Sequence, residues 1–216
     1  AESIREDTGK THAEALISDI LPTLEILHYI RDNLSNILAP QRRSTPFLYR
    51  RSKSYVEYHP RGVVLVIAPW NNPFQLSMVP ALSAFAAGNA VVLKPSEQTP
   101  GVNDRIRTIL RTADIESRNI QVVPGTGRMA QDLIDARPDM VFFTGGPRNG
   151  RSVLKTASEH LIPVILELGG KDPMIVFEDA RTDRALQGAL YGAFAHAGQH
   201  CVSTKRLYVH SKLYEE

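Results

Sequence analysis

From Gly62 to Leu166 the chain repeats one pattern: a short apolar run, a polar or glycine-rich connection, then a segment with helical spacing. The run Val63-Val64-Leu65-Val66-Ile67 shows no alternation of polar and apolar residues, so both of its faces need cover. Such a strand belongs in a parallel sheet with helices on its two faces. Further strands are predicted at 90–94, 120–123, 140–143 and 163–166. Helices are predicted between them at 74–87, closed by Gly88 as a C-cap, and at 102–113, 129–136 and 149–160. Strand, helix, strand in short succession predicts an α/β chain: an open parallel Rossmann-like sheet with helices on both faces.

The segment before this series is different. Ile17, Leu21, Leu24, Leu27, Leu34 and Leu38 recur at helical spacing, and Pro22 interrupts them, which predicts two helices or one kinked helix over 13–38. Residues 47–59 are rich in Tyr, Phe and Val with intervening charges and predict one or two exposed strands. A last strand is predicted at 206–210.

Charge and cysteine usage narrow the function classes. A net charge of +2 argues against a nucleic-acid partner. The basic cluster Arg42, Arg43, Arg50, Arg51 and Lys53 alternates with apolar residues and reads as a solvated strand face. Apolar stretches such as 63–69 are strand-sized, too short for a bilayer, so no membrane partner is expected. The start of the chain is charged and lacks a signal-peptide core, so the expected location is cytoplasmic. One cysteine, Cys201, excludes an intrachain disulfide framework. His196 and His200 are spaced i, i+4 but have no acidic neighbour in sequence, so no metal is expected.

In an open parallel sheet, ligands bind beyond the carboxyl ends of the strands. The segments found there are Pro69-Trp70-Asn71-Asn72-Pro73, Lys94-Pro95-Ser96-Glu97, Pro124-Gly125-Thr126-Gly127, Thr144-Gly145-Gly146 and Glu167-Leu168-Gly169-Gly170. Lys94 and Glu97 are suited to an adenosine ribose, and the carboxylate favours NAD over NADP by repelling a 2′-phosphate. A surface ion pair at a helix start is the plainer account of the same two residues. Gly145 and Gly146 can bring backbone N–H groups to a pyrophosphate, although the spacing is not GxGxxG and two glycines also make a turn. Asn71 offers an amide donor for an oxyanion or serves as a turn residue. Cys201 is a candidate nucleophile with Glu167 as a separate base, or else a small buried hydrophobe.

In this order the segments Ala68-Pro69-Trp70-Asn71, 88–97 (Gly-Asn-Ala-Val-Val-Leu-Lys-Pro-Ser-Glu), Phe143-Thr144-Gly145-Gly146, Leu166-Glu167-Leu168-Gly169-Gly170-Lys171 and Gly198-Gln199-His200-Cys201 resemble the aldehyde dehydrogenase superfamily, with its class-3-like branch nearest. The resemblance implies an NAD(P)-dependent oxidation of a small-molecule aldehyde to a carboxylic acid. It implies Cys201 as the nucleophile passing through a thiohemiacetal and a thioester, Glu167 as the base for hydrolytic water, and Asn71 as the oxyanion donor. Lys94, Glu97, Gly145, Gly146 and Trp70 then become cofactor contacts. It divides the chain into N-terminal helices and strands of an oligomerisation arm (1–61), a cofactor-binding domain (62–170) and the start of a catalytic domain (171–216).

Two departures stand out. The family's Gly-Ser-Thr is replaced here by Gly146-Pro147-Arg148, and an arginine able to pair with a phosphate keeps NADP open. Family members also continue well past the cysteine, so a truncated chain or one piece of a split enzyme is expected. The rival expectation is a non-catalytic cofactor-binding or interaction fragment. The partner in either case is a second copy, forming a homo-oligomer, or a complementary chain.

Overall fold

The computed structural model describes residues 1–115 and 119–214. The last two residues of the expected third segment, 215–216, lie outside the described residues. The centre is a five-stranded parallel sheet built from β3 (Val63–Ile67), β4 (Ala90–Lys94), β5 (Ile120–Val122), β6 (Met140–Gly145) and β7 (Val164–Leu168), in spatial order β5-β4-β3-β6-β7. The helices joining them are α4 (Gln75–Ala86), α5 (Pro100–Thr112), α6 (Gly127–Asp135) and α7 (Pro147–Glu159).

Two apolar clusters show why both strand faces are apolar. On one face, Val64, Val66, Val91 and Leu93 pack with Met78 and Ala81 of α4 and with Val102, Ile106 and Leu110 of α5. On the other, Leu65, Ile67, Val141 and Phe143 pack with Ala130 and Ile134 of α6 and with Val153 and Ala157 of α7. The chain therefore leaves β3 toward one face and β6 toward the other. Where adjacent strands send their connections to opposite faces, a crevice opens at their carboxyl ends.

The N-terminal region forms α1 (Glu2–Thr8), α2 (His12–Ala15), a wide π-turn (Leu16–Ile20) and α3 (Leu21–Leu38). The expected break at Pro22 takes the form of that π-turn, because a wider turn accommodates a residue that lacks an N–H. The apolar spacing does not mark the buried side here. Ile17 and Leu21 are more than half exposed, whereas Ala15, Asp19 and Thr23 are fully buried.

Residues 47–59 differ from expectation. Phe47–Tyr49 is a 3-10 turn, and only Ser54–Val56 (β2) is extended, pairing antiparallel with Gln41–Arg43 (β1). Arg50 and Arg51 sit in the turn between these strands rather than on a strand, with the Arg50 guanidinium 4.5 Å from the Phe47 ring centroid. The fifth predicted strand runs two residues further than expected, because β6 itself continues to Gly145 and pairs with it through Thr144↔Glu167 and Gly145↔Leu168. The final strand, β9 (Thr204–Val209), pairs parallel with β8 (Asp172–Val176), and α8 (Thr182–Phe194) joins them. Neither β8 nor α8 is marked in the sequence by a long apolar run.

Candidate active site

The crevice at the carboxyl ends of β3, β6 and β7 is one end of a cavity of about 900 Å³ that continues along the sheet face to Val64 and Met140 near the amino ends of β3 and β6. Trp70, Asn71, Gly145, Gly146, Glu167 and Cys201 all line it. The structure thus gathers residues from four separate segments. Lys94 and Glu97 are not among its lining residues; they stand at the end of β4, the next strand along.

Asn71 is tied by a hydrogen bond to Gln199, two residues before Cys201. The Asn71 side-chain amide donates to the Gln199 carbonyl at 2.9 Å. A carboxamide has two N–H bonds, so a second donor remains for a ligand. Cys201 is exposed in a turn that comes after three consecutive left-handed residues, His196 (φ 48°), Ala197 (φ 54°) and Gly198 (φ 69°). Left-handed backbone at two non-glycine residues costs energy and needs outside support. Glu14 supplies some of it by accepting from the His196 N–H at 2.9 Å. Lys205 adds more by donating to the Gly198 carbonyl at 2.7 Å.

The turn is also held from behind. A Cβ on Gly170 would come within 2.5 Å of the Cys201 carbonyl oxygen, so the absence of a side chain lets these two segments touch. Arg206 donates from two guanidinium nitrogens to the Lys171 carbonyl, joining β9 to the loop after Glu167. Glu167 itself is exposed near the end of β7.

The Lys94 ammonium donates to Glu97 at 2.9 Å, with the lysine side chain 5% exposed and the glutamate 44% exposed. Burial pushes the Glu97 carboxyl up, but its own backbone N–H and Lys94 together hold it below the ordinary carboxylate range. A Cβ on Gly145 would lie 2.6 Å from the Phe143 ring, whereas the space above Gly146 is open. Gly146 caps α7, and Pro147 and Arg148 in its first turn are exposed.

Sequence reasoning missed a second polar layer beneath these residues. Asn72 accepts from the Lys10 ammonium at 2.5 Å through Oδ1, and its Nδ2 lies 3.3 Å from His200 Nδ1. Lys10 also donates to Asp19 at 3.1 Å, and both side chains are fully buried. Burial lowers the Lys10 pKa and raises that of Asp19, while each charge opposes the shift of the other. Burial and the nearby Lys10 charge hold both His196 and His200 below the ordinary histidine value. The His196 ring stands edge-on to Trp70, 5.9 Å between centroids. Among the described residues, no group of three or more His, Cys, Asp or Glu side chains is arranged to hold a metal ion.

The aldehyde dehydrogenase family model matches residues 1–216. The chain belongs to the aldehyde dehydrogenase family. It is 49% identical to 4,4′-diapolycopene aldehyde oxidase of Methylomonas sp. over 216 residues, which is all of this chain and 41% of that protein. It is 39% identical to 4,4′-diaponeurosporen-aldehyde dehydrogenase of Staphylococcus aureus, covering 100% of this chain and 47% of that one. The chain therefore spans less than half the length of these relatives. The substrate-bound structure of Staphylococcus aureus AldH superposes with a TM-score of 0.90 at 39% identity, over 99% of this chain and 46% of that one. Succinic semialdehyde dehydrogenase of Streptococcus pyogenes in complex with NADP+ matches with a TM-score of 0.91 at 27% identity, over 99% and 46%. PnpE in complex with nicotinamide adenine dinucleotide matches with a TM-score of 0.88 at 30% identity, over 99% and 44%. Structural neighbours thus hold either cofactor.

Proposed function

We propose that this chain supplies the cofactor-binding part and the nucleophile of an NAD(P)-dependent aldehyde dehydrogenase. The observation that carries this reading is the meeting of Asn71, Glu167 and Cys201 around one cavity, with Asn71 tied to the turn that bears the thiol. In the reaction the Cys201 thiolate adds to the aldehyde carbonyl, and the π electrons move onto oxygen. The free N–H of Asn71 and the Cys201 backbone N–H stabilise that oxyanion. NAD(P), when bound beside Cys201, would supply the hydride acceptor that lets the thiohemiacetal on Cys201 become a thioester. Glu167 takes a proton from water, the resulting hydroxide attacks the thioester, and the thiolate departs as the carboxylic acid forms.

The residues fit such a cofactor. Lys94 and Glu97 offer a paired donor and acceptor for ribose hydroxyls, Gly145 and the open space at Gly146 admit a pyrophosphate, and Trp70 flanks the crevice. The Glu97 charge favours NAD, and the exposed Arg148 leaves NADP acceptable. Apolar lining by Leu76, Val79, Pro80 and Phe142, together with the diapolycopene and diaponeurosporen aldehydes in the relatives' names, supports a long apolar aldehyde as substrate. A thiol nucleophile works only when reduced, in keeping with a cytoplasmic setting.

In this reading residues 1–61 carry the N-terminal helices and an oligomerisation arm, 62–170 the cofactor domain, and 171–216 the start of the catalytic domain. A second reading has its own support. On and beside β8 and α8, Ile175, Phe177, Leu190, Tyr191 and Phe194 are exposed, Phe194 to 71%. Apolar exposure of this kind suits docking on a complementary chain or another copy, with cofactor binding but no turnover until docking occurs. NAD reduction with a long-chain aldehyde, measured for the wild type and Cys201→Ala, tests the first reading. Turnover that persists in Cys201→Ala overturns it.

A further inference from the structure

The Lys10–Asp19 pair has no part in the reaction above, yet it is joined to the site through Asn72, the neighbour of Asn71. Asn72 has both ends of its carboxamide engaged, because Oδ1 accepts from Lys10 and Nδ2 faces His200 Nδ1. The lysine is a donor only, so Asn72 must present oxygen to Lys10 and nitrogen to His200. His200 Nδ1 is then an acceptor, which puts the imidazole proton on Nε2. Asn72 directly follows Asn71, and His200 directly precedes Cys201. Asp19 holds the other end of the arrangement, since its second oxygen accepts from the Gln75 N–H at 2.7 Å, at the start of α4.

We propose that Lys10, held by Asp19, is a positioning residue that sets the placement of Asn71 relative to Cys201 through Asn72 and His200. The inference rests on the reading of Asn71 as oxyanion donor and Cys201 as nucleophile. Two loops far apart in sequence thereby share one buried cation. A flip of Asn72 would face its N–H groups toward the ammonium, and protonation of His200 would set two donors against each other. Either event loosens both loops at once.

The groups that act electrostatically on His200 are Lys10, which holds its pKa down, and Glu14 and Asp19, which raise it; burial is the largest influence and also lowers it. His196 packs beside it, 5.3 Å between ring centroids. Removing the Lys10 charge therefore lets His200 titrate at higher pH, whereas a lysine with no tie to the Asn71 loop would leave exchange of the Asn71 side-chain amide unchanged.

The test uses the whole chain, with NMR titration of His200 assigned through His200→Asn, and hydrogen exchange of the Asn71 side-chain amide assigned through Asn71→Ala. The Lys10→Met/Asp19→Asn variant removes both charges, while the introduced carboxamide oxygen still accepts at the start of α4. It is expected to raise the His200 midpoint and speed Asn71 exchange about tenfold, the worth of one net hydrogen bond. Lys10→Arg is expected to retain the wild-type midpoint. Should the double variant fail to fold, Lys10→Gln serves, keeping a donor to Asn72 without the charge, and again raising the midpoint. Wild-type Asn71 exchange in the folded double variant, or an unchanged His200 midpoint in a folded, uncharged variant, overturns the proposal. Neither readout needs aldehyde or NAD, so a wild type that never acylates Cys201 would refute the reaction and leave this result standing.

Discussion

The Asn71 side-chain amide donates to the Gln199 carbonyl at 2.9 Å, joining residues 128 apart in sequence. That bond fixes the end of β3 against the turn bearing Cys201. It uses one N–H of the amide and leaves the other for the oxyanion of the proposed reaction. Replacing Asn71 with Ala is expected to slow acylation of Cys201 by about 10²–10³-fold, as removal of a single oxyanion donor does. Single-turnover acylation, followed by rapid quench and mass spectrometry, measures it.

In the function proposed above, cofactor choice depends on Glu97. Its carboxylate is kept ionised against burial by its own backbone N–H and Lys94, and in that proposal it would accept from ribose hydroxyls and repel a 2′-phosphate. Calorimetric titration is expected to show NAD binding more tightly than NADP. Glu97→Gln is expected to narrow that ratio about tenfold, since hydrogen bonds to charged groups are worth more than neutral ones. Equal wild-type affinities would contradict the specificity assigned to Glu97.

Gly170 tests the packing behind the thiol. Alanine there meets both the Asp172 carboxylate and the Cys201 carbonyl, so both must move or the Gly170 backbone must shift. The expected result is a loss of about 1–3 kcal/mol in stability, the usual cost of overpacking, together with loss of Cys201 acylation. Urea unfolding gives the first and the acylation assay the second.

Acid should destabilise the chain through His196 and His200. Both are held below the ordinary value of 6.5 in the fold, first by burial and then by Lys10. Between that depressed value and 6.5 the unfolded chain binds more protons than the folded one, so stability falls as pH falls through this window. Above 6.5 their contribution is complete. Urea midpoints at successive pH values are expected to decline below this point, and less so in His200→Asn.

The sheet is legible in the sequence because a strand buried on both faces has to be apolar throughout, as Val64–Ile67 is. The helices covering it are legible to within a few residues for the same reason. Residues 47–59 are not, since aromatic and β-branched side chains in an exposed segment serve a turn as well as a strand. The gathered site is readable from the polar and glycine residues just past each strand end. Its floor is not. Lys10 and Asn72 are 62 residues apart, and nothing around Gly9-Lys10-Thr11 marks a buried cation. In α3 and the turn before it, Ile17 and Leu21 face out while Asp19 and Thr23 face in, the reverse of what hydrophobic spacing predicts.

The central claim is that Cys201 is the nucleophile and Glu167 the base that clears its thioester. Glu167→Gln should therefore accumulate the acyl-enzyme. Intact-mass and peptide mass spectrometry after incubation with a long-chain aldehyde and NAD is predicted to show the acyl increment on the Cys201 peptide. It is predicted to require NAD and to vanish in Cys201→Ala. No acyl increment on Cys201 in the presence of both aldehyde and NAD, or an increment that survives in Cys201→Ala, would contradict the account.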